Sequence, residues 1–364
     1  MIIKYRFEKL KILLEIPDLY SIVYQLLHTI PRGKITTYGE LAKALGDIKA
    51  SRSIGQILAY NPWPDKYPCY KVVRSTGELG KYSYGGKNEK ARRLSKEGII
   101  VKNNIIENFN EVLLKSDSFD TVPILSMLQR IQQALTEHIK LTPLDIERIR
   151  RIITLDTAYF GSTFPEKSIS VGILYDIKLE KILYLSIVVT PIFFPYIPGY
   201  LFFREGIPLL LTIDSLISLG GKPDVIIFDG HGLLHPRKAG IATHAGILLS
   251  MPTIGVAKKL LYGKLLKRKE FLKNGLKVTP IVIDDSILGF RIRKNKSTIY
   301  VSPGNMVDPE SALEIILRLK WSNHKVPDIL YVPHFIATQL RKYATKLFPF
   351  IKNIAQKRSS KYSS

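Results

Sequence analysis

The chain has 364 residues, enough for two domains, and its 54 Lys and Arg residues outnumber 31 Asp and Glu residues, which gives a net charge of +23. Such an excess favours nucleic acid as the partner, and the single cysteine excludes an intrachain disulfide framework. Prolines interrupt the longest apolar stretch and no secretory core precedes it, so we expect a soluble, cytoplasmic protein without membrane contact.

The first predicted elements are short helices. Residues 21–27 have a helical apolar pattern, and Thr37 and Glu40 have the spacing of a capping box that begins a second helix. A third helix is predicted from about Ser51. Helix pairs with a tight glycine-containing turn occur as plain packing units and as helix-turn-helix motifs, whose second helix contacts DNA. If the pair is a helix-turn-helix motif, Arg52 at the start of the second helix is expected to contact DNA.

The only cysteine, Cys69, lies in a set of motifs that changes its interpretation. A lone cysteine is typically a small buried apolar residue. Here, however, the motifs resemble, in order, those of the C-terminal domain of O6-alkylguanine-DNA alkyltransferases. They cover residues 20 to about 100 and are Ile30-Pro31-Arg32-Gly33-Lys34, Thr37-Tyr38-Gly39-Glu40-Leu41-Ala42, Ser51-Arg52-Ser53-Ile54-Gly55, Asn61-Pro62, Pro68-Cys69 and Glu97-Gly98.

The resemblance implies that Cys69 accepts an alkyl group from O6 of guanine in one stoichiometric displacement, which requires a thiolate. It also implies roles in binding the flipped nucleotide or in proton relay for Tyr38, Arg52, Asn61, Tyr82, Ser83 and Glu97.

Tyr70 departs from the family pattern, because the family has histidine after the cysteine. A phenol with a pKa of about 10 is a poor base, although it can pass on a hydrogen bond. Proteins of the family that only bind lesions have lost the cysteine, whereas Cys69 is retained. The sequence therefore predicts a working, slower alkyltransferase, and the alternative is a catalytically weak or inert lesion-binding module.

The rest of the chain is predicted to form a second domain. A helix is predicted from Leu125, followed by strands in a meander and then by strands that alternate with helices, which indicates a ribonuclease H-like α/β domain with a mixed sheet after the small helical domain. The predicted division is an alkyltransferase-like domain over 1–105, a linker over 106–123, the second domain over 124–350 and a basic tail over 351–364.

Three acidic residues are predicted to meet in the second domain. Asp229 ends the apolar run 225–228, which is typical of a strand covered on both faces, and sites in α/β sheets lie where such strands end. Asp156 ends a similar run, and Glu205 begins an amphipathic stretch. Three carboxylates favour Mg²⁺, which Mn²⁺ can replace, and we expect no other small-molecule cofactor.

The motifs around these acids resemble endonuclease V, the deoxyinosine-specific DNA repair nuclease. The matching residues are Leu155-Asp156, Pro195-Tyr196-Ile197-Pro198-Gly199-Tyr200-Leu201, Phe203-Arg204-Glu205, Asp229-Gly230-His231-Gly232, His235-Pro236-Arg237, Gly240-Ile241-Ala242 and Pro252-Thr253-Ile254-Gly255-Val256-Ala257-Lys258. Together with the first domain, this predicts a bifunctional DNA repair protein of archaeal type.

The second resemblance implies that Asp156, Glu205 and Asp229 hold the metal and that Lys258 orients the attacking water or stabilises charge. It implies that the rigid segment 195–198 separates the DNA strands as a wedge, since two prolines fix its backbone. The residues implied in the wedge and the lesion pocket are Tyr196, Ile197, Pro198, Gly199, Leu201, Gly230, Gly232, His235, Gly240 and Ile241. The alternative for His235 is that it only anchors its loop, and the alternative for the glycines is that they only provide turn geometry.

Asn305 stands where the family commonly has a histidine associated with the metal site, so we expect weaker binding of a second metal or a changed pH profile. The expected partners are double- and single-stranded DNA with damaged bases: deoxyinosine, O6-alkylguanine and also uracil. A nuclease that acts mainly on inosine in RNA is the remaining alternative.

Overall fold

The fold is given by a computed structural model, which describes residues 1–7, 10–161 and 166–359, with side chains up to residue 347. Elements of the first unit and the segment that follows it are β1 (Ile2–Phe7), β2 (Ile12–Pro17), α1 (Leu19–His28), β3 (Thr36–Thr37), α2 (Tyr38–Ala44), α3 (Ser51–Ala59), β4 (Val72–Val73), α4 (Gly86–Lys96), β5 (Val101–Lys102), β6 (Ile105–Ile106), α5 (Phe109–Val112) and α6 (Ile124–Leu135).

The helix-turn-helix predicted from the sequence is formed by α2 and α3. The Thr37 hydroxyl accepts a hydrogen bond from the Glu40 N–H at 3.0 Å, which fixes the start of α2 as its spacing predicts. The Glu40 carboxylate does not close the capping box, since it pairs with Lys43 at 2.7 Å and accepts from the Ser116 N–H at 2.8 Å. Arg52 is exposed at the start of α3.

Residues 106–123, predicted as a linker, pack along the first unit. The Ile35 N–H donates to the Val112 carbonyl at 2.9 Å, and the Leu114 N–H donates to the Ile35 carbonyl at 2.7 Å. Phe119 is buried. Ile106, Val112 and Phe119 of this polar segment are buried, and their burial offsets the cost of ordering it.

Elements of the second unit are β7 (Arg151–Phe160), β8 (Glu166–Asp176), β9 (Lys181–Ile192), α7 (Leu201–Gly220), β10 (Val225–Asp229), α8 (Ile241–Leu249), β11 (Thr253–Ala257), β12 (Lys264–Leu265), β13 (Phe271–Lys273), β14 (Leu276–Ile283), β15 (Ser286–Lys294), β16 (Ser297–Asn305), α9 (Pro309–Arg318) and α10 (Asp328–Ser359). Of the predicted basic tail, residues 351–359 continue α10, and 360–364 lie outside the described residues.

A mixed ten-stranded sheet, as predicted, organises the second unit. Its order is β12-β14-β15-β16-β11-β10-β7-β8-β9, and β13 pairs with β14. The short strand β10 runs parallel to both β7 and β11. Its side chains alternate between two cores: Ile226 and Phe228 face α7 and α8, whereas Val225 and Ile227 face α9 and α10. Both faces of β10 are therefore covered, which explains its uninterrupted apolar sequence.

The two units share one hydrophobic core. Leu41 and Ile54 of the helix-turn-helix belong to the same buried cluster as Tyr200 and Phe203 of the second unit. The hairpin β1–β2 also contacts α7, where the Leu10 N–H donates to the Asp214 carboxylate at 3.0 Å. The two units are therefore in direct contact with each other. Among the described helices, none has the length and apolar character that crossing a bilayer needs.

Candidate functional site

The middle of β7, the end of β10 and one helix bring together a group of potential metal ligands, so Asp156 does not end its strand as the sequence predicts. Leu155 and Phe228 are register partners on parallel strands, so Asp156 and Asp229, which follow them, lie side by side. His334 approaches from α10. Ligand atoms of these three residues all lie within 4.8 Å of one another. This mixed set of two carboxylates and one imidazole suits a divalent cation.

Hydrogen bonds and ion pairs already tie this group together. His334 Nδ1 lies 2.6 Å from Asp156 Oδ2. Lys258 Nζ donates to Asp229 Oδ2 at 2.7 Å. Removal from water raises the pKa of Asp229, and the nearby Asp156 charge adds to the effect, whereas Lys258 opposes it. The site therefore has more negative charge than its own side chains balance.

Glu205, the third predicted ligand, lies beside this group on α7 but outside the cluster of three. Its carboxylate accepts a hydrogen bond from the Tyr159 hydroxyl. Desolvation raises the pKa of Glu205 to about 8; Tyr159 opposes the rise, and the charges of Asp156 and Asp229 reinforce it. The three predicted carboxylates thus influence one another electrostatically, as a shared cation site requires.

The guanidinium of Arg204 packs against Tyr159, the residue that donates a hydrogen bond to the Glu205 carboxylate. Arg204 is buried, lies 4.0 Å from the centre of the Tyr159 ring and pairs with Glu166 at 2.6 Å. The tyrosine that donates to Glu205 is therefore held in place by packing and charge.

Sequence reasoning missed His334 and misplaced Asn305. Asn305 is buried and bonded to backbone: its Oδ1 accepts from the Lys140 N–H at 2.9 Å and its Nδ2 donates to the Gly246 carbonyl at 3.1 Å. Asn305 is the register partner of Thr253, which begins β11, whereas Asp229 is the register partner of Val256, near the end of β11. Asn305 therefore lies at the other end of the sheet from the metal ligands, where it holds the backbone together.

A cavity of about 260 Å³ opens beside the metal ligands. It is mostly apolar, and its lining is Leu155, Asp229, Val256, Lys258, Asn323, His324, Lys325, Val326, Leu330, Tyr331 and His334. His324 stacks on Tyr331 with ring centres 3.6 Å apart.

A second cavity, of about 280 Å³, collects most of the predicted lesion-binding residues. Its lining is Tyr196, Gly199, Leu201, Phe202, His231, His235, Ala239, Gly240, Ile241, Lys259, Leu260 and Leu261. Tyr196 stands at its edge with 56% of its surface exposed. Ile197 and Pro198 do not line it: Ile197 is buried in the core and Pro198 is exposed. The predicted residues in this lining come mainly from two loops, one before α7 and one before α8.

Close packing within the protein surrounds three of the predicted glycines. A Cβ on Gly232 would lie 2.0 Å from the Pro303 carbonyl, one on Gly240 would lie 2.1 Å from the His231 carbonyl, and one on Gly230 would lie 2.5 Å from an Ile241 side-chain carbon. Backbone closeness within the protein is reason enough for these glycines.

His235 is a neutral loop anchor. Its Nδ1 accepts from the Arg237 N–H at 3.2 Å, which leaves Nε2 to donate to the Gly199 carbonyl at 3.1 Å. Burial lowers the pKa of His235 to about 3, and the Arg237 charge adds to this. The imidazole therefore offers a fixed tautomer at the wall of the cavity.

Cys69 forms a separate site in the first unit. It starts a three-residue 3₁₀ turn and is only 5% exposed. Asn61 Nδ2 donates to its sulfur at 3.3 Å. Burial raises the pKa of the thiol, while Asn61 and the positive charges of Lys90 and Arg93 oppose that rise.

Tyr70 and Glu97 are hydrogen-bonded to each other, with the proton on the tyrosine. The Tyr70 hydroxyl donates to Glu97 Oε1 at 2.6 Å, and Lys71 pairs with Glu97 Oε2 at 2.8 Å. Although desolvation opposes them, Lys71, Tyr70 and the Gly33 N–H together lower the pKa of Glu97. Among the hydrogen bonds of the described residues, none joins Tyr70 to Cys69.

Other predicted residues of the first unit surround the thiol or face solvent. Tyr38 and Tyr82 are half-buried. Desolvation raises the pKa of both hydroxyls, and a negative charge on Cys69 would raise it further, which indicates that both lie near the sulfur. The buried Tyr82 hydroxyl has no hydrogen-bond partner among the described residues. Ser83, like Arg52, is exposed. Asn61 is fully buried, and its carbonyl accepts from the Tyr84 hydroxyl.

Comparisons with known proteins match both units. The family "Endonuclease V" matches residues 133–335, more than half of the chain, and "6-O-methylguanine DNA methyltransferase, DNA binding domain" matches 18–99. A bifunctional methyltransferase/endonuclease of Picrophilus torridus is 37% identical over 331 residues, covering 89% of this chain and 97% of that protein. An endonuclease V of Saccharolobus islandicus is 32% identical over 219 residues, covering 60% of this chain and 97% of that protein.

Among solved structures, endonuclease V of Bacillus subtilis matches with a TM-score of 0.55 and 28% identity. The match covers 62% of this chain and 95% of that structure. The family match ends at residue 335, one position after His334, so α10 supplies this ligand from the last part of the matched region.

Proposed function

Because the chain belongs to the endonuclease V family and resembles a bifunctional methyltransferase/endonuclease over nearly its whole length, we propose that it is a DNA repair enzyme with two active sites. One site cleaves a DNA strand near deoxyinosine with Mg²⁺, or Mn²⁺ in its place. The other transfers an alkyl group from O6 of guanine to Cys69. Damaged double- or single-stranded DNA is the substrate of both.

The observation that carries the nuclease proposal is the approach of Asp156, Asp229 and His334 within 4.8 Å of one another. These residues, with Glu205 beside them, would hold the cation. A divalent cation in such a site supplies charge neutralisation at the phosphoryl oxygens and a more acidic water.

The protonation state of Lys258 determines which role it can have. Although burial opposes it, the charge of Asp229 raises the pKa of Lys258. The ammonium therefore stays protonated at neutral pH and cannot take a proton from water. It stabilises negative charge as this builds on the phosphate, which is one of the two roles expected from the sequence.

The cavity beside Tyr196 is the proposed pocket for the flipped base. Extruding a nucleotide costs a few kcal/mol and least for a weakly paired base, and an aromatic side chain at the mouth of a pocket replaces the lost stacking. Tyr196 is exposed at that place, and His235 presents a neutral ring inside it. Tyr196 is the wedge in this proposal, Ile197 anchors the segment in the core, and Leu201, Gly199, Gly240 and Ile241 shape the pocket.

Cleavage of matched duplexes tests the nuclease proposal. Duplexes that differ only by deoxyinosine or deoxyadenosine at one position are incubated with the full chain, with and without Mg²⁺. We expect Mg²⁺-dependent cleavage of the deoxyinosine strand alone. Equal cleavage of both duplexes, or cleavage that persists with a chelator, would refute it.

The alkyl transfer proposal rests on Cys69 and the residues around it. The thiolate sulfur attacks the alkyl carbon, a sulfur–carbon bond forms, the bond from that carbon to O6 breaks, and O6 keeps the electron pair and takes a proton. The product is a stable thioether, so each molecule reacts once. Asn61 orients the sulfur, and Lys90 and Arg93 favour its negative charge.

A lesion-binding role without transfer is the second candidate, because burial raises the pKa of Cys69 and the Tyr70 hydroxyl is hydrogen-bonded to Glu97 rather than to the thiol among the described residues. Mass spectrometry of the intact protein after incubation with an O6-methylguanine duplex separates the two. One added methyl group on Cys69 supports transfer, whereas tight binding without added mass supports the second candidate.

A further inference from the structure

Residues of the helix-turn-helix hold the wedge segment, residues 195–198, from outside the second unit. Ser53 of α3 is buried, and its hydroxyl donates to the Tyr196 carbonyl at 2.6 Å. This contact fixes the backbone of the residue whose side chain stands at the mouth of the base pocket. A buried hydroxyl bonded to a carbonyl across two units is a specific contact, since either group alone would be left unsatisfied.

A second contact lies just beyond the wedge segment. The Tyr200 hydroxyl donates to Asp47 Oδ2 at 2.7 Å, and Gln129 Nε2 reaches both groups, at 2.9 Å from Asp47 and 2.5 Å from the hydroxyl. Asp47 lies in the turn between α2 and α3. The wedge segment is therefore held by the start of α3 at its tip and by the turn at its base.

Helix α6 extends this support to the wall of the pocket. Gln132 is buried, and its Nε2 donates to the carbonyls of Gly199 and Ala239 at 3.1 and 3.2 Å. The start of the same helix is bound to the helix-turn-helix, since the Leu125 N–H donates to the Leu45 carbonyl at 2.8 Å. Both loops that form the pocket thus rest on a helix fixed to the first unit.

The chemistry of cleavage does not call for these contacts. The Saccharolobus islandicus endonuclease V aligns with only 60% of this chain yet is covered over 97% of its own length, so it has the size of the second unit alone. Contacts from Asp47 and Ser53 are therefore additions of the two-unit chain. None of the metal ligands Asp156, Asp229 and His334 contacts either residue among the described hydrogen bonds and ion pairs.

We propose that the first unit positions the wedge of the endonuclease: Ser53 and Asp47 hold the segment 195–198 in the alignment that opens a duplex at the lesion. Both are positioning residues, and the proposal rests on the proposed endonuclease function. Because a single strand needs no opening, their effect is confined to duplex substrates.

The test compares Ser53→Ala and Tyr200→Phe with matched controls on duplex and single-stranded deoxyinosine DNA. Tyr200→Phe is chosen over a change of Asp47, because Asp47 also accepts from the Lys49 N–H. Ser51→Ala removes a hydroxyl of the same helix that bonds only to the Ile48 carbonyl, and Tyr24→Phe removes a buried hydroxyl that donates to Ile57. We expect each test variant to lose about tenfold in kcat/KM on duplex, equivalent to ~1.4 kcal/mol, and nothing on single strands.

A double variant separates positioning from a general loss of structure. If Ser53 acts through the wedge, Ser53→Ala should cost nothing further on duplex once Tyr196→Ala is present, because the effects of coupled residues do not add. Test variants that match their controls on duplex, equal losses on both substrates, or additive losses in the double variant would each overturn the proposal. Failure of the unmodified protein to cleave deoxyinosine DNA would instead refute the proposed function.

Discussion

In the second unit, desolvation and mutual repulsion raise the pKa of both Asp229 and Glu205, whereas in the first unit Lys71 and Tyr70 lower the pKa of Glu97 despite its burial. Several carboxylates are thus crowded at one site, where Lys258 pairs with only one of them, and a single carboxylate is paired at the other. Crowded carboxylates are stabilised by a cation from outside, and paired ones are not. This contrast supports the proposal that a cation binds in the second unit.

The nucleophiles differ in the same way. At the crowded site a bound cation would make the attacking water more acidic, so the chain would have to provide only ligands and a fixed positive charge. At the paired site the thiol of Cys69 has to ionise with the help of Asn61, Lys90 and Arg93 against its own burial. The first unit should therefore react slowly near neutral pH, and the second should depend on cation concentration.

The largest expected effect is that of Asp229→Ala on cleavage. The change removes a ligand from the crowded site and leaves Lys258 without its partner. We expect cleavage to fall by about three orders of magnitude, since several kcal/mol of charge stabilisation depend on the cation. Cleavage rates under single-turnover conditions measure this, with binding to deoxyinosine DNA retained as the control. Unchanged Mg²⁺-dependent cleavage would remove Asp229 from the site.

His334→Ala tests whether the residue missed in the sequence is a ligand. We expect the Mg²⁺ concentration for half-maximal cleavage to rise about 10- to 100-fold, because the imidazole holds Asp156 and completes the ligand set. A matched control is His324→Ala, which changes a nearby histidine outside the ligand cluster. Equal Mg²⁺ dependence of the two variants would show that His334 only packs against Asp156.

Alkyl transfer should rise with pH, because only the thiolate reacts and burial raises the pKa of Cys69. Below that pKa the thiolate fraction, and with it the rate, increases about tenfold per pH unit. Tyr70→His should increase the rate at neutral pH by about tenfold or less, since imidazole takes a proton there and phenol does not. Rates of methyl transfer at several pH values measure both effects. A rate independent of pH would mean that the thiolate is already formed.

Binding of Mg²⁺ near neutral pH should release a proton from Glu205. Its pKa of about 8 means that the carboxyl is mostly protonated at pH 7, and a cation favours the ionised form. Proton release should therefore fall as the pH rises above 8. Calorimetry in buffers of different ionisation enthalpy measures it, and Glu205→Gln, which lacks this carboxyl, is the control that should release less. Equal proton release by both proteins would place the titrating group elsewhere.

The sequence predicted those parts of the site that local pattern determines. Asp156 and Asp229 each follow an apolar run, and parallel neighbouring strands bring such residues together. His334 escaped because it lies on α10, about a hundred residues further along the chain, and nothing in its immediate neighbours distinguishes it from a helix surface residue. Asn305 was wrongly expected near the metal site, because the motif around it does not give the direction of its strand. Asn305 ends β16, which runs antiparallel to β11, so it lies at the opposite edge from Asp229.

The contact between the two units also lay beyond the sequence. Asp47, Ser53 and Tyr200 are ordinary turn, helix and loop residues in their own segments, and only the fold brings them together. The polar composition of 106–123 predicted a linker, but it did not reveal that Val112 and Phe119 are buried where this segment packs along the first unit.

The most direct test of two separate reactions in one chain uses the unmodified protein, Asp229→Ala and Cys69→Ala. Each is incubated with a duplex that carries deoxyinosine and another that carries O6-methylguanine, and strand cleavage and the intact mass of the protein are measured in the same sample. We predict that Asp229→Ala gains one methyl group without cleaving and that Cys69→Ala cleaves without gaining mass. An unmodified protein that gains no methyl group, or a folded Cys69→Ala that no longer cleaves, would contradict the account.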